Sequence, residues 1–366
     1  MQLLSKPYLK KIDVYIIKKF LGTFFLAIAL IIGISIVFDI SEHIDEFISR
    51  HAPLRAIVFD FYLNFIPYFA NLFSSLFTFI AVIYFTSKMA YNSEIIAILA
   101  SGVTYKRLMR PYMIGAGIIA LMSWTLGNFV IPPANTIRID FTNKYLKGEY
   151  NNQDRNIHRQ LEPGLYIYMR NYNNKNDVGY KFSIEKFKDH KLVSKLISDY
   201  VKWDRDKKKW VIHNYYIRDL SGPTEKITSG AVIDTTLRMK PEDFGRQKNL
   251  EETMNYWELN HYIEDLKLRG VDNVVQYEIE KHKRTSGPFS TFILSIIGAA
   301  LASRKIRGGM GLHLGIGLLL SFSYIMFLQV STVFATKGGM DPFIAVWIPN
   351  LLYSIIAIFL YRWASK

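Results

Sequence analysis

Chemistry in a chain of this kind would rest on a few titratable or metal-ligating side chains at fixed spacing, and those spacings are missing. The eight histidines stand at 43, 51, 158, 190, 213, 261, 282 and 313, with no HxxxH, HxH or HExxH pair to hold a metal ion. The absence of cysteine excludes disulfides, thiol nucleophiles and cysteine-ligated metals. No GxSxG elbow and no Walker-type GxxxxGK(S/T) occurs. Gly308, Gly309 and Gly311 lack the preceding strand and following Lys-Ser/Thr of a phosphate loop. His313 could relay a proton, but a histidine at the end of an apolar run more often rests at the interface. The chain is read as non-catalytic, with no metal and no cofactor of its own.

One stretch carries a different kind of signal. Residues 87–110 (SKMAYNSEIIAILASGVTYKRLMR) form a short helical segment between two long uncharged runs, with Lys88, Lys106, Arg107 and Arg110 around it. Asn92 or Ser93 can cap the helix, Glu94 falls in its first turn, and Gly102 is a natural stop. Residues 95–101 are apolar or small on nearly every face. A water-exposed loop gains nothing by displaying such a helix unless a partner's groove receives it.

The elements that position this stretch are membrane spans. Half of the residues are apolar, yet mean hydropathy is only +0.10 and 21% are charged, as in a membrane protein with a sizeable aqueous domain. Six runs can cross a bilayer, at 20–38, 61–87, 111–137, 285–303, 308–336 and 342–361. Lys6, Lys10, Lys11, Lys18 and Lys19 precede the first, which no small-residue cleavage site follows. Lys88 to Arg110, Arg304, Lys305, Arg307, Arg362 and Lys366 fall on the same side. Together these segments hold about 14 Lys and Arg against two acids, which places both termini in the cytosol. The net charge of +14 is thus explained by topology, and nucleic-acid binding is not expected.

Pro67 and Pro349 are expected to kink the second and sixth spans, with Pro111 at the start of the third and Pro132 and Pro133 at its exit. Asp39, Glu42, Asp45 and Glu46, in a first outer loop at 39–55, read as a solvated helix end rather than a headgroup or metal contact. Gly311 and Gly315 form a small-xxx-small pair that serves packing within the chain or a subunit interface. Charged residues are almost absent from the spans, whereas ion-coupled transporters usually keep some at mid-depth. Walls of Phe, Ile, Leu and Met suit a lipid tail instead.

Between the third and fourth runs, residues 138–284 are polar. Alternating stretches at 164–169, 180–184, 196–203, 209–215 and 227–236, separated by turn-rich segments, predict an antiparallel β domain, a sandwich or jelly roll. Helical patterns follow from Asn260, with a break at Gly270 and a second stretch from Asn273. The fold class is an α-helical membrane protein with six spans and an inserted all-β, jelly-roll-like periplasmic domain. The domains are 1–137, 138–259, a helical connector at 260–284, and 285–366.

With this plan in place, the chain resembles the lipopolysaccharide-export permeases of the LptF/LptG (YjgP/YjgQ) family. The resemblance rests on Tyr15 with Lys18, on Pro67, and on residues 93–102 (SEIIAILASG) followed by Pro111. It extends through 163–166 (PGLY), 206–210 (DKKKW), 239–243 (MKPED), the entry at 277–288 and 347–350 (WIPN). It implies an inner-membrane permease paired with a second permease subunit and bound to a dimeric cytosolic LptB-like ATPase that supplies the ATP site. Lipopolysaccharide would pass to periplasmic LptC/LptA-like jelly-roll proteins. Glu94, Ala97, Ala100, Ser101 and Gly102 would dock into the ATPase. The first and fifth spans would border lateral gates, with Ile32, Ile36, Gly311, Gly315 and Phe322 as gate or packing residues. Some members carry lysines at the outer end of the first span; here that end is Asp39 and Glu42, and Arg138, Lys144 and Lys147 are candidate headgroup contacts instead. An LptG-like subunit is preferred, with LptF left open. The alternatives are an ATPase-coupled permease for another lipid or lipoprotein, and a non-transporting scaffold or sensor.

Overall fold

Uncharged backbone in hydrocarbon must bond to itself, so each apolar run is required to close as helix. The computed structural model describes residues 10–147, 155–189, 191–222, 224–239, 241, 244, 250–268, 274–304 and 309–365. The chain divides into two units, Met1–Arg138 with Val275–Lys366, and Ile139–Val274. Lys6, Lys305, Arg307, Lys366, Gly308, Gly270, Asn273 and most of the 239–243 motif lie outside the described residues, as does the Lys147 side chain.

Helix α1 (Lys11–Ser49) opens with the Lys10 backbone N–H donating to Asp13 Oδ2 at 2.8 Å. Ile16, Phe20, Phe24 and Ile28, each four residues on from the last, are buried, as a single helix face requires. Leu26, Leu30, Ile34, Val37 and Phe38 point away from the bundle. Residues 39–49, read as loop, continue α1. Asp39 accepts from the Tyr62 hydroxyl at 2.9 Å and pairs with His43 at 3.5 Å, so this end is tied down rather than merely solvated.

The second span is broken. A first turn α2 (Leu54–Ala56), a wide π turn (Ile57–Tyr62) and α3 (Leu63–Leu72) form one arm, and α4 (Ser74–Tyr91) the other. The arms bend by 61°, and the break falls at Phe73 rather than at Pro67. Pro67 has no N–H for the Leu63 carbonyl, yet the helix runs on through it. Among the described residues, five helices are long and apolar enough to cross a membrane, or six with this pair as one span.

After the short α5 (Glu94–Ala100), α6 starts at Tyr105 and runs to Thr125, capped by the Thr104 hydroxyl. Pro111 is therefore inside this helix, not at its start. A π turn (Leu126–Val130) leads into α7 (Ile131–Thr142) and a further π turn (Asn143–Lys147). Pro132 and Pro133 stop the Asn128 and Phe129 carbonyls from receiving their α-helical bonds, which accounts for a widened turn there.

In the second unit β1 (Arg155–Glu162), β2 (Leu165–Asn173), β3 (Val178–Lys188), β4 (Lys191–Asp204), β5 (Lys209–Asp219) and β6 (Lys226–Thr235) form one antiparallel sheet in that order. Short turns hold sequence neighbours side by side, and the crossovers of a jelly roll are not found among the described residues. β1, RNIHRQLE, has too few apolar positions to show an alternating pattern in the sequence. One face packs Ile167, Met169, Phe182, Val201 and Ile212 around Trp210, whose Nε1–H donates to the Met239 carbonyl at 2.9 Å. Helix α8 (Tyr256–Leu268) belongs to this unit. The connector seen in the sequence ends there, because α9 (Val274–Ala302) crosses position 285 without a break.

Helices α10 (Gly309–Gly338) and α11 (Pro342–Ala364) complete the bundle. Asp341 caps α11 by accepting from the Phe343 and Ile344 N–H groups at 2.9 and 3.2 Å, and Pro349 sits within that helix without ending it. Helices α1, α4 and α6 meet through the stacked Phe20, Phe85 and Tyr112 rings, with centroids 5.5 and 5.3 Å apart. Helices α4, α9, α10 and α11 share Phe79, Ile83, Leu294, Ile297, Tyr324 and Tyr353. Polar side chains join spans by pairing with each other. Asn350 accepts from Tyr324 at 2.8 Å and donates to the Ser286 carbonyl at 2.9 Å, and Ser123 donates to Asn71 at 2.6 Å.

Close approach uses glycines other than the pair read from the sequence. A Cβ on Gly115 would strike the buried Phe20 ring, whereas one on Gly311 or Gly315 would meet nothing within 4 Å. Gly115→Leu should therefore cost about 1–3 kcal/mol by overpacking and lower the thermal midpoint in detergent, while Gly315→Leu leaves the monomer's midpoint unchanged or raises it. Intrinsic fluorescence melts of the two variants test this.

Candidate functional site

Ser93 begins α5 with φ +60°, in the left-handed region, and its hydroxyl makes no capping bond. The cap expected of Asn92 or Ser93 is thus absent from the backbone; Asn92 Nδ2 donates to Glu94 Oε1 at 3.3 Å instead. At the far end Gly102 takes φ +86°, a conformation glycine adopts without strain, and the Ser101 hydroxyl donates to the Ile98 carbonyl at 2.7 Å. Ile95 is buried and Ile98 partly buried against the core of α1, α4 and α6. The opposite face leaves Ile96, Ala97, Leu99, Ala100, Ser101 and Gly102 exposed, with Ile96 at 53%. Seven residues cannot hold a helix by themselves, so this anchoring is what presents the outer face.

Glu94 is engaged within the chain. The Tyr15 hydroxyl donates to Oε2 at 2.8 Å, and Lys19 Nζ lies 3.3 and 3.4 Å from the two oxygens. The Lys19 ammonium also sits 4.4 Å from the Tyr15 ring centroid, a cation–π distance. Partial burial pushes the Glu94 carboxyl up, but bonds from Tyr15 and Asn92 and the charge of Lys19 outweigh it and hold the group below its ordinary value. Its carboxylate therefore fixes α5 to α1.

A second ionic contact, not foreseen from the sequence, lies on the same side. Arg107 donates to both oxygens of the buried Asp13, at 2.7 and 2.6 Å, a bidentate geometry. The signal was present, since Asp13 is the lone acid among the N-terminal lysines. The base of α1 is thereby pinned to α5 through Glu94 and to α6 through Arg107.

The other candidate residues are dispersed. Ile32 and Ile36 are half-buried on α1, while Gly311, Gly315 and Phe322 are exposed on α10. The Arg138 guanidinium lies 4.6 Å from the Tyr68 ring centroid, and exposed Lys144 lies 5.0 Å from that of Tyr145. His313 is buried, with Nε2 at 3.1 Å from the Arg304 carbonyl. Among the described residues no group of three His, Asp or Glu side chains converges to hold a metal.

A set of membrane-length helices with an inserted antiparallel sheet defines a multi-pass membrane protein with a β insertion. The chain belongs to the family described as lipopolysaccharide export system permease LptF/LptG, which it matches over residues 14–363. It is 20% identical over 276 residues to the lipopolysaccharide export system permease protein LptG of Escherichia coli strain K12, covering 74% of this chain and 76% of the relative. The LptG protein of Escherichia coli O6:H1 strain CFT073 matches to the same extent. Family membership and the apolar helices together place the chain in the inner membrane.

The Glu94 contacts have a defined pH dependence. A carboxylate held below its ordinary value of 4.5 contributes its full tether above that value and loses it as pH falls through the lowered one. Tyr15→Phe should raise the midpoint toward 4.5, and at this partial exposure each contact is worth ~0.2–1 kcal/mol. Hydrogen exchange across residues 94–100, corrected for intrinsic rates, should show protection lost at higher pH in the variant.

Proposed function

We propose that this chain is a non-catalytic permease subunit of an ABC transporter that extracts lipopolysaccharide from the inner membrane and passes it to a periplasmic bridge toward the outer membrane. The observation that carries the reading is the exposed apolar and small face of α5 on a chain with no nucleotide-binding motif of its own. Energy must then enter from another protein. A dimeric cytosolic ATPase receiving Ala97, Ala100, Ser101 and Gly102 supplies it, with ATP bound in that partner. Glu94 acts indirectly, by setting the angle of α5 against α1. The lysine-rich start of α1 and the basic residues around α5 support cytosolic termini, which puts the sheet in the periplasm.

A second permease subunit packs against α1 and α10. Outward-facing Leu26, Leu30, Ile34, Leu319, Phe322 and Met326, with Gly311 and Gly315 open on one side, support a gate between two subunits. Apolar walls suit acyl chains, and Arg138 and Lys144 each offer a cation to a headgroup phosphate. In the sheet the outer edges of β1 and β6 face no further strand among the described residues, so either edge can extend into a jelly-roll partner by strand addition.

The test is Ala97→Trp with Ala100→Trp in the full chain. Both sites are exposed, so membrane insertion and thermal midpoint should hold while co-purification of the ATPase falls at least tenfold. Unchanged ATPase recovery with both bulky residues in place would sink the docking role of α5.

A further inference from the structure

A cavity of about 670 Å³ opens at the base of the bundle, lined by Asp13 of α1, by Lys106, Arg107, Met109, Arg110, Met113 and Ile114 of α6, and by Ile296 and Tyr361. Its size falls within the usual range for small-molecule sites, ~300–1,000 Å³. The lining changes character along one helix. Lys106, Arg107 and Arg110 occupy the first two turns of α6, and Met113 and Ile114 follow one turn deeper into the apolar run. The cavity is therefore cationic at its mouth and oily behind it.

The charges are not neutralised in place. Among the described residues Asp13 is the only acid lining the cavity, and both of its oxygens are taken by Arg107. Lys106 and Arg110, one helical turn apart on the same face, are exposed and have no acidic partner among the described residues. No acid sits in the first turn of α6. Cations gathered at a helix N-terminus oppose the helix dipole, which favours negative charge there. Ordinary topology signalling needs only that such residues lie near the membrane on one side; it does not need a cavity with apolar walls behind them.

We propose that this cavity binds an anionic phospholipid of the leaflet on the α5 side, with its phosphate between Lys106 and Arg110 and an acyl segment along Met113, Ile114 and Ile296. Basic pockets between spans on the cytosolic side take anionic headgroups for the same reasons. Because the lipid bridges α6 to the helices carrying Ile296 and Tyr361, it braces the end of the bundle that presents α5. That the leaflet is the cytosolic one rests on the topology proposed above; the site itself does not.

The test uses the purified full-length chain in mild detergent and in nanodiscs, with dioleoyl phosphatidylglycerol or dioleoyl phosphatidylcholine as probe. Native mass spectrometry should show phosphatidylglycerol retained in preference to phosphatidylcholine. Lys106→Gln with Arg110→Gln should weaken retention roughly fivefold for each cation removed. Ile296→Trp, which fills the apolar end and leaves the charges alone, should also displace the lipid. Equal retention of both lipids by the wild type, competition by millimolar glycerol phosphate alone, or retention unaffected by Ile296→Trp would overturn the proposal. Because the chain has no native cysteine, a cysteine placed at Ser101 and labelled from one side reports topology separately. Labelling from the periplasm would overturn the leaflet assignment and the orientation, while lipid retention would still decide the site.

Discussion

A helix that shows most of its length to lipid has to be held at its ends, and α1 is such a helix. Its middle contributes little burial, because Leu26, Leu30, Ile34, Val37 and Phe38 all face outward. At the base Asp13 is clamped by Arg107, and Tyr15 and Lys19 hold Glu94. At the other end Asp39 takes the Tyr62 hydroxyl. Asp13 is nearly inaccessible, at 2% exposed, so removing Arg107 would leave its carboxylate without its bidentate partner. The pins let α1 keep a free apolar flank without drifting from α5 and α6. A rotation of α1 about its axis would have to move Tyr15 and Lys19, and with them the carboxylate that sets α5.

The irregular turns follow from the same need to satisfy backbone in hydrocarbon. Proline takes away a donor, and the helix answers by widening a turn or by breaking where a neighbour supplies the lost bond. Pro132 and Pro133 follow directly on a π turn. Near Pro67 the π turn lies before it and the 61° break after it, at Phe73. The phenylalanine ladder Phe61, Phe65, Phe69, Phe73 and Phe77, with successive rings 4.7 to 6.5 Å apart, runs through the bend. The rings are stacked up to Phe69 and turn to tilted and edge contacts at Phe73 and Phe77, so the two arms change direction while their contact stays continuous.

Much of the architecture was legible in the residues alone, because it depends on composition over long windows. Spans, the exposed α5 face and the alternating strands are set by hydropathy and period, which survive any detail of packing. What depended on a partner distant in sequence was not legible. Asp13 and Arg107 are 94 residues apart, and Tyr15 and Glu94 are 79 apart, so no local pattern joins them. The same holds for the glycines. Gly311 and Gly315 fit a familiar spacing yet meet open space, while Gly115, in no motif, carries the α1–α6 approach against Phe20. Strand β1 was not legible for a third reason, since an edge strand with one partner needs fewer apolar positions than a central one.

The division of labour within the bundle follows from where charge is and is not placed. A glycolipid's acyl chains need apolar walls and room to enter sideways, and the outward flanks of α1 and α10 offer both without a single charged residue among Leu26, Leu30, Ile34, Leu319, Phe322 and Met326. Such walls cannot sense a nucleotide or supply work. At the base, Asp13, Lys19, Glu94 and Arg107 instead join three helices by ion pairs across the turns that flank α5. Side chains packed as tightly as Phe20, Phe85 and Tyr112 transmit displacement instead of absorbing it. On the proposed function, a push on the outer face of α5 would pass to α1 through Glu94 and to α6 through the same aromatic core, and α1 is the helix whose free flank borders the proposed gate. Under the proposed function, energy input and cargo path would be separated along one helix, with the ion pairs at its base and bare hydrocarbon along its flank.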